Sequence, residues 1–145
     1  MDSILHANWD ARFLELAHHV SQWSKDPSTK VGAVIANDQH QVLSLGYNGF
    51  PRGVEDRASR YNYREMKLLF VAHAERNALD NAFVDVRGAT LYTSLCPCNE
   101  CAKSIIQKGI KRVVTQPPPV EKAELFKMYV TTQMFDEANV ELVLI

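Results

Sequence analysis

The chain has 145 residues, of which 46% are hydrophobic and 23% are charged, and its formal net charge is −1. This length and composition predict a single globular domain over residues 1–145. The near-zero net charge gives no indication of a nucleic-acid or membrane-surface partner. No apolar run approaches the roughly 20 residues that a transmembrane helix needs.

The first half of the chain predicts a helix followed by a hairpin. Apolar residues recur every three or four positions from Trp9 to Trp23, which indicates a helix over about residues 8–24 with Asn8 as its N-cap. Two strands follow at 30–36 and 41–47, joined by a turn. The Gly- and Pro-containing stretch that opens at Asn48 then predicts a long loop, and such loops are usually functional.

The second half alternates helices with strands. We expect helices at 61–70, 71–82, 98–108 and 121–138, and strands at 89–94, 111–115 and 140–145. Alternation of this kind predicts an α/β sandwich, with a sheet that is mainly parallel after the opening hairpin.

All three cysteines, Cys96, Cys98 and Cys101, fall within one short segment. An odd, clustered set is a poor disulfide framework but suits a metal site. Reduced thiols favour a cytoplasmic protein. The N-terminus also lacks the basic and apolar regions of a secretory signal.

His73-Ala74-Glu75 and Pro97-Cys98-Asn99-Glu100-Cys101 together indicate a catalytic zinc site. Cys98 and Cys101 are three residues apart at a predicted helix start, which puts both sulfurs on one face near an electropositive helix end. With His73 they make three ligands, and zinc with three protein ligands keeps a position for water whose pKa it lowers. We predict that Glu75 does not bind zinc and instead moves protons. The combination is typical of zinc nucleobase deaminases.

The alternative is a structural zinc module, which would need a fourth ligand. Cys96 is the candidate for that ligand, although Glu75 would then have no role. We assign the other histidines to structural or exposed positions: His6, His18, His19 and His40.

Four segments resemble the deoxycytidylate deaminase family: residues 24–34 (SKDPSTKVGAV), 46–53 (GYNGFPRG), 73–78 (HAERNA) and 97–101 (PCNEC). The resemblance runs from about residue 9 to 114. It implies a cytidine deaminase-like fold, which is a three-layer α/β/α sandwich with a five-stranded mixed sheet. It also implies zinc-dependent hydrolysis of dCMP to dUMP and ammonia, which would supply dUMP for thymidylate synthesis.

By position, the resemblance makes His73, Cys98 and Cys101 the zinc ligands and Glu75 the proton shuttle. It places Asn48 on the sugar and the backbone of Ala74 on the pyrimidine carbonyl. Val31, Gly32 and Ala33 would form the pocket wall, where Gly32 would allow close approach of the base. Two residues depart from the family pattern: Cys96 stands where an aromatic is common and Thr115 where a tyrosine is common.

A monophosphate substrate needs cationic or backbone donors. From the basic residues near the quoted segments we expect phosphate contacts from Lys25, Lys30, Arg52 and Arg60. The resemblance also implies a homo-oligomer, either a hexamer or a dimer, with activation by dCTP and inhibition by dTTP. The alternative substrates are dCTP, cytidine and an adenosine in tRNA. The net charge of −1 disfavours tRNA and other nucleic acids, because such enzymes carry basic surfaces.

Overall fold

The computed structural model describes residues 2–5, 8–125 and 127–145. Its strands are β1 Gly32–Ala36, β2 Val42–Tyr47, β3 Thr90–Thr93, β4 Arg112–Thr115 and β5 Glu141–Leu144. Its helices are α1 Trp9–Ser21, α2 Ala58–Tyr61, α3 Arg64–Phe70, α4 Ala74–Asn81, α5 Asn99–Gln107, α6 Val120–Leu125 and α7 Met128–Glu137. Within the described residues no helix is both long and apolar enough to cross a membrane.

The five strands form one mixed sheet in the order β2-β1-β3-β4-β5. β1 pairs with β2 and β3 in antiparallel orientation, whereas β3, β4 and β5 are parallel. The predicted mixed five-stranded sheet is therefore confirmed. The parallel part begins only at β3, because the crossover through α4 sets β3 parallel to β2, and β1 lies between them in the opposite direction.

Side chains of β1 alternate between two cores, as the period of a strand requires. Ala33 and Ile35 belong to the core that α4, α5 and α7 cover, and Val34 packs with Phe13 and Ala17 of α1 on the opposite face. All five residues of β1 are buried. The sheet is thus covered by helices on both faces, which confirms the three-layer α/β/α architecture.

Two glycines allow the helices to approach this sheet closely. A Cβ atom built on Gly32 would lie 2.0 Å from the carbonyl oxygen of Ala17 in α1, and one on Gly46 would lie 2.3 Å from the amide nitrogen of Ala78 in α4. At Gly32 the space left by the missing side chain is therefore occupied by the backbone of helix α1, whereas the expected occupant was a nucleobase.

Several element boundaries also differ from the predictions. The segment expected to be helical from 71 starts its helix only at Ala74, because Ala72 forms an isolated β-bridge with Gly49. The predicted last helix is divided into α6 and α7, and Lys127 before α7 has a left-handed φ of 52°. His18 and His19 are exposed on α1, and His40 stacks on the ring of Trp9. His6 lies outside the described residues.

Candidate functional site

The bridge between Gly49 and Ala72 fixes the position of His73. Each of the two bridge residues donates its backbone N–H to the carbonyl of the other, at 3.1 and 2.8 Å. His73 follows directly as the extended N-cap of α4, with ψ of 155°. Its carbonyl accepts the N–H of Asn77 at 3.0 Å, the first turn of the helix. The imidazole is therefore held at a helix start beside the β2 end of the sheet.

Cys98 and Cys101 occupy the corresponding position on α5. Cys98 is the N-cap, and its carbonyl accepts the N–H of Ala102 at 3.0 Å. Nδ1 of His73 lies 3.1 Å from Sγ of Cys101 and 3.7 Å from Sγ of Cys98. All three ligand atoms lie within 4.8 Å of one another.

This donor set fits zinc. Zn–S and Zn–N bonds of about 2.3 and 2.0 Å at tetrahedral angles separate the ligand atoms by roughly 3.5 Å, close to the observed spacings. Hydrogen bonds from Cys101 and then His73, together with the charge of His73, lower the pKa of Cys98 to about 3 despite its burial. The cluster thus already favours a thiolate, the form that binds metal.

Cys96 is not a member of the cluster that the described residues form. Its side chain is buried, and burial, followed by the charge of Glu75, raises the pKa of its thiol to about 12. The geometry therefore favours three protein ligands over a closed four-ligand site.

Glu75 lies in the first turn of α4 with only 4% of its surface exposed. Because His73 precedes the helix with a non-helical backbone, these two side chains can face the same site although they are two residues apart. Burial raises the pKa of the Glu75 carboxyl, and the nearby His73 opposes that effect. A carboxyl group with a raised pKa is suited to both accepting and donating a proton near neutral pH.

The cluster opens into a cavity of about 340 Å³, a size typical of small-ligand sites. At the metal end it is lined by His73, Ala74, Glu75, Cys96 and Cys98. Its apolar wall consists of Val31, Leu68, Val71, Leu95 and Leu125. Its other polar lining residues are Asp26, Thr29, Asn48, Arg64 and Lys122. A second cavity of about 430 Å³ is larger, but its lining contains none of the cluster residues.

Residues 7–116 match the family model "Cytidine and deoxycytidylate deaminase zinc-binding region". The chain belongs to this family. The expected deaminase resemblance is therefore confirmed, and the three-ligand cluster identifies zinc as the cofactor that the family's name implies.

Relatives with known sequences agree with this family assignment. The chain is 41% identical over 141 residues to an uncharacterized deaminase from the luxG 3′ region of Aliivibrio fischeri. The aligned region covers 93% of this chain and 92% of that protein. It is 45% identical over 112 residues to the deoxycytidylate deaminase of Mus musculus, covering 73% of this chain and 63% of the mouse protein. The chain thus spans less than two thirds of the length of that mammalian relative.

Solved structures of the family show the same fold. The dCMP deaminase of cyanophage S-TIM5 in apo form has a TM-score of 0.75 at 24% identity, covering 97% of this chain and all of the phage chain. The same phage enzyme in complex with dCMP and dUMP has a TM-score of 0.76 at 23% identity, covering 98% of this chain. At these identities the likeness establishes the cytidine deaminase-like fold.

Three of the five family positions expected to bind substrate line the cavity: Val31, Asn48 and Ala74. Gly32 and Ala33 are not among its lining residues, and the side chain of Ala33 lies in the core under α4. The amide of Asn48 is already engaged, since its Oδ1 accepts the N–H of Val31 at 2.8 Å and its Nδ2 donates to the carbonyl of Thr29 at 2.9 Å.

The four residues expected to hold a phosphate do not line this cavity. Lys25 pairs with Asp56 at 2.7 Å, and Lys30 is exposed. Arg52 donates to the side chain of Asn81 at 3.0 Å. Arg60 donates to the carbonyl of Glu55 at 3.1 Å, and its guanidinium carbon lies 4.4 Å from the centre of the Phe70 ring.

The structure brings other polar residues to the cavity instead: Arg64, Lys122, Asp26 and Thr29. Asp26 and Thr29 lie in a segment that carries the family resemblance, but charge alone points to the lysines beside them as phosphate donors. No signal in the sequence indicates that Lys122, about 50 residues after His73, returns to the same cavity.

Proposed function

We propose that this chain catalyses the hydrolytic deamination of dCMP to dUMP with release of ammonia. The observation that carries the proposal is the three-ligand His73-Cys98-Cys101 cluster with buried, non-ligating Glu75 at the end of a cavity. A structural zinc site has no use for an open position or for a buried carboxyl beside it.

His73, Cys98 and Cys101 would hold the zinc ion. When bound, zinc with an open position lowers the pKa of a water molecule and so supplies a nucleophile at neutral pH. Glu75 would take up the proton that this water loses and deliver it to the ring nitrogen as the hydroxyl adds to the amino-bearing carbon. It would then move the remaining proton of that hydroxyl to the amino group, which leaves as ammonia while the carbonyl forms. Burial raises the pKa of its carboxyl, which favours proton uptake by Glu75 and so supports this role.

The cavity matches a pyrimidine base next to the metal end. The apolar side chains of Val31, Val71 and Leu95 line the cavity and can pack against the faces of a pyrimidine ring. The N–H of Ala74 lies in the first turn of α4, where backbone N–H groups have no acceptor within the helix. It can therefore donate to the pyrimidine carbonyl and orient the amino-bearing carbon toward the zinc site.

Arg64 and Lys122 are the side chains we propose for the 5′-phosphate, in place of Lys25, Lys30, Arg52 and Arg60. Both line the cavity, and each offers charged N–H donors. Charge-assisted hydrogen bonds to phosphate are stronger than neutral ones. Two cations at the cavity therefore support a nucleotide over a nucleoside substrate.

Parallel deamination assays on dCMP, deoxycytidine, cytidine and dCTP test the substrate, with loss of cytosine absorbance as the signal. We expect the highest kcat/KM for dCMP, with deoxycytidine at least about 10-fold lower because it lacks a charge-assisted phosphate contact. A higher kcat/KM for deoxycytidine or dCTP than for dCMP contradicts the proposal.

The family resemblance also leads us to infer a homo-oligomer, a hexamer or a dimer, that dCTP activates and dTTP inhibits. Exposed apolar side chains support self-association: Leu68, Leu69 and Leu125, of which Leu68 and Leu125 line the cavity. Sedimentation with and without dCTP tests the oligomeric state, and the dCMP assay with dCTP or dTTP added tests the regulation.

We also infer a cytoplasmic location, which the three free cysteines support.

A further inference from the structure

A buried ion pair lies at the wall of the cavity. Asp26 is only 3% exposed, yet it is one of the cavity-lining residues. Nζ of Lys67, itself 6% exposed, donates to Oδ1 of Asp26 at 3.1 Å. Burying two charges is costly, so this ion pair is not explained by stability alone. Its position at the cavity wall suggests a role in ligand binding.

The two oxygens of Asp26 differ in how many donors they receive. Oδ1 accepts from the N–H of Ser28 at 2.8 Å, the N–H of Thr29 at 3.2 Å and Lys67. Among the described residues, Oδ2 has a single partner, Nδ2 of Asn48 at 3.4 Å, which is longer than an ordinary hydrogen bond. The accepting capacity that remains on this carboxylate is therefore on Oδ2.

The side-chain amide of Asn48 has no N–H group left to donate to a ligand. Its Nδ2 donates to the carbonyl of Thr29 and toward Asp26, and its Oδ1 accepts from Val31. The side chain of Asn48 is thus held by protein partners beside Asp26, and both residues line the cavity. What the ligand meets here is an acceptor.

Asp26 is ionised at neutral pH. Burial alone would raise the pKa of its carboxyl, but the hydrogen bonds from Ser28, Thr29 and Lys67 outweigh burial and lower the pKa. An ionised carboxylate repels a phosphate and accepts a hydrogen bond strongly from a hydroxyl. These charges favour an arrangement in which Asp26 meets the sugar of a bound nucleotide and the phosphate lies toward Arg64 and Lys122, which line the same cavity.

We propose that Oδ2 of Asp26 binds the 3′-hydroxyl of the substrate, and that Lys67 is the positioning residue that holds this carboxylate in place. This inference rests on the proposed function, because a 2′-deoxynucleotide 5′-phosphate has the 3′-hydroxyl as its one sugar hydroxyl. It assigns to Asp26 the sugar contact that the family resemblance gave to Asn48.

Calorimetric binding of dUMP and of 2′,3′-dideoxy-UMP to the zinc-loaded protein tests the inference without turnover. In the wild type we expect the dideoxy ligand to bind about 10- to 100-fold more weakly, as expected for loss of a hydrogen bond to a charged acceptor. In Asp26→Asn the difference between the two ligands should fall to within about 3-fold. A purely structural role would weaken both ligands equally and leave their ratio unchanged.

Asp26→Asn leaves the Lys67 charge buried without its counter-ion, which can prevent folding. The double variant Asp26→Asn with Lys67→Met removes both charges and provides the second measurement. Asp56→Asn, which breaks the exposed pair with Lys25, is the matched control and should retain the wild-type ratio.

Equal affinity of the wild type for the two ligands overturns the inference, and so does a folded variant that retains the wild-type ratio. The proposed function has a separate readout, since it fails if wild-type protein with full zinc does not deaminate dCMP.

Discussion

Replacing Gly32 with alanine tests whether this position serves helix packing or base binding. The added Cβ would lie 2.0 Å from the carbonyl oxygen of Ala17 and 2.5 Å from the amide nitrogen of Ser21. Cβ atoms essentially never approach other heavy atoms within 3.0 Å, so α1 must move away from β1 by about 1 Å. Both obstructing atoms are backbone atoms, so a side-chain rotation cannot relieve the overlap.

The cost follows from what α1 packs against. Moving it separates Phe13 and Ala17 from Val34 and Ala36 in the core on that face of the sheet. Overpacking of this kind costs about 1–3 kcal/mol and can cost more, and because a rigid helix backbone is involved we expect about 3 kcal/mol. With a denaturant slope of about 2 kcal/mol per molar urea, the unfolding midpoint should fall by about 1.5 M.

Urea unfolding followed by tryptophan fluorescence measures this shift, since Trp9 begins α1 and Trp23 lies just after it. Gly49→Ala is the matched control, because the nearest atom to its added Cβ is the Tyr61 hydroxyl at an ordinary 3.8 Å. A Gly32→Ala protein with wild-type stability and a selectively raised KM for dCMP would refute the packing argument and restore the role in base binding.

Three further results are expected. Cys96→Ser should retain one zinc per chain by metal analysis, because Cys96 lies outside the ligand cluster; loss of zinc would show a four-ligand site. Arg64→Gln should raise the KM for dCMP about 10-fold and leave that for deoxycytidine nearly unchanged, whereas an equal change for both would remove Arg64 from the phosphate. Asp10→Asn should lower stability at pH 7 by about 1–2 kcal/mol, since the hydrogen bond from Arg112 lowers the pKa of Asp10 in the folded protein. That difference should be complete above the unfolded pKa near 4 and disappear as pH falls through the lower folded pKa, and a pH-independent difference would contradict the assignment. The exposed Asp38 pair with Lys111 is its control, and Asp38→Asn should leave the unfolding midpoint nearly unchanged.

The parts of the fold that the sequence predicts well are those set by local pattern. The apolar period from Trp9 predicts α1 to within three residues of its observed ends, and the hairpin between β1 and β2 follows from its two short strands and turn. The zinc cluster is predictable for the same reason, since Cys98 and Cys101 are three residues apart and His73 and Glu75 are two apart. Each pair needs only a helix start to face a common point.

Long-range contacts account for what the sequence does not predict. Helix α4 begins late because Ala72 pairs with Gly49, more than twenty residues away. The role of Gly32 depends on α1 crossing β1 at that position, which no local pattern specifies. The presence of Lys122 at the cavity is likewise not predictable from local sequence, because it depends on the path of the chain after β4. Charge alone could not separate it from Lys25, which pairs with Asp56 elsewhere.

Glu75→Gln provides the most direct test of the central claim, a catalytic zinc site in which a non-ligating carboxyl moves the protons. The substitution keeps the size of the side chain and removes its ability to exchange protons. Zinc content and the rate of dCMP deamination should be measured on the same preparation. We expect one zinc per chain and a kcat lower by about 10²- to 10⁴-fold, the contribution of a general acid–base group. Full zinc with near wild-type turnover would contradict the account.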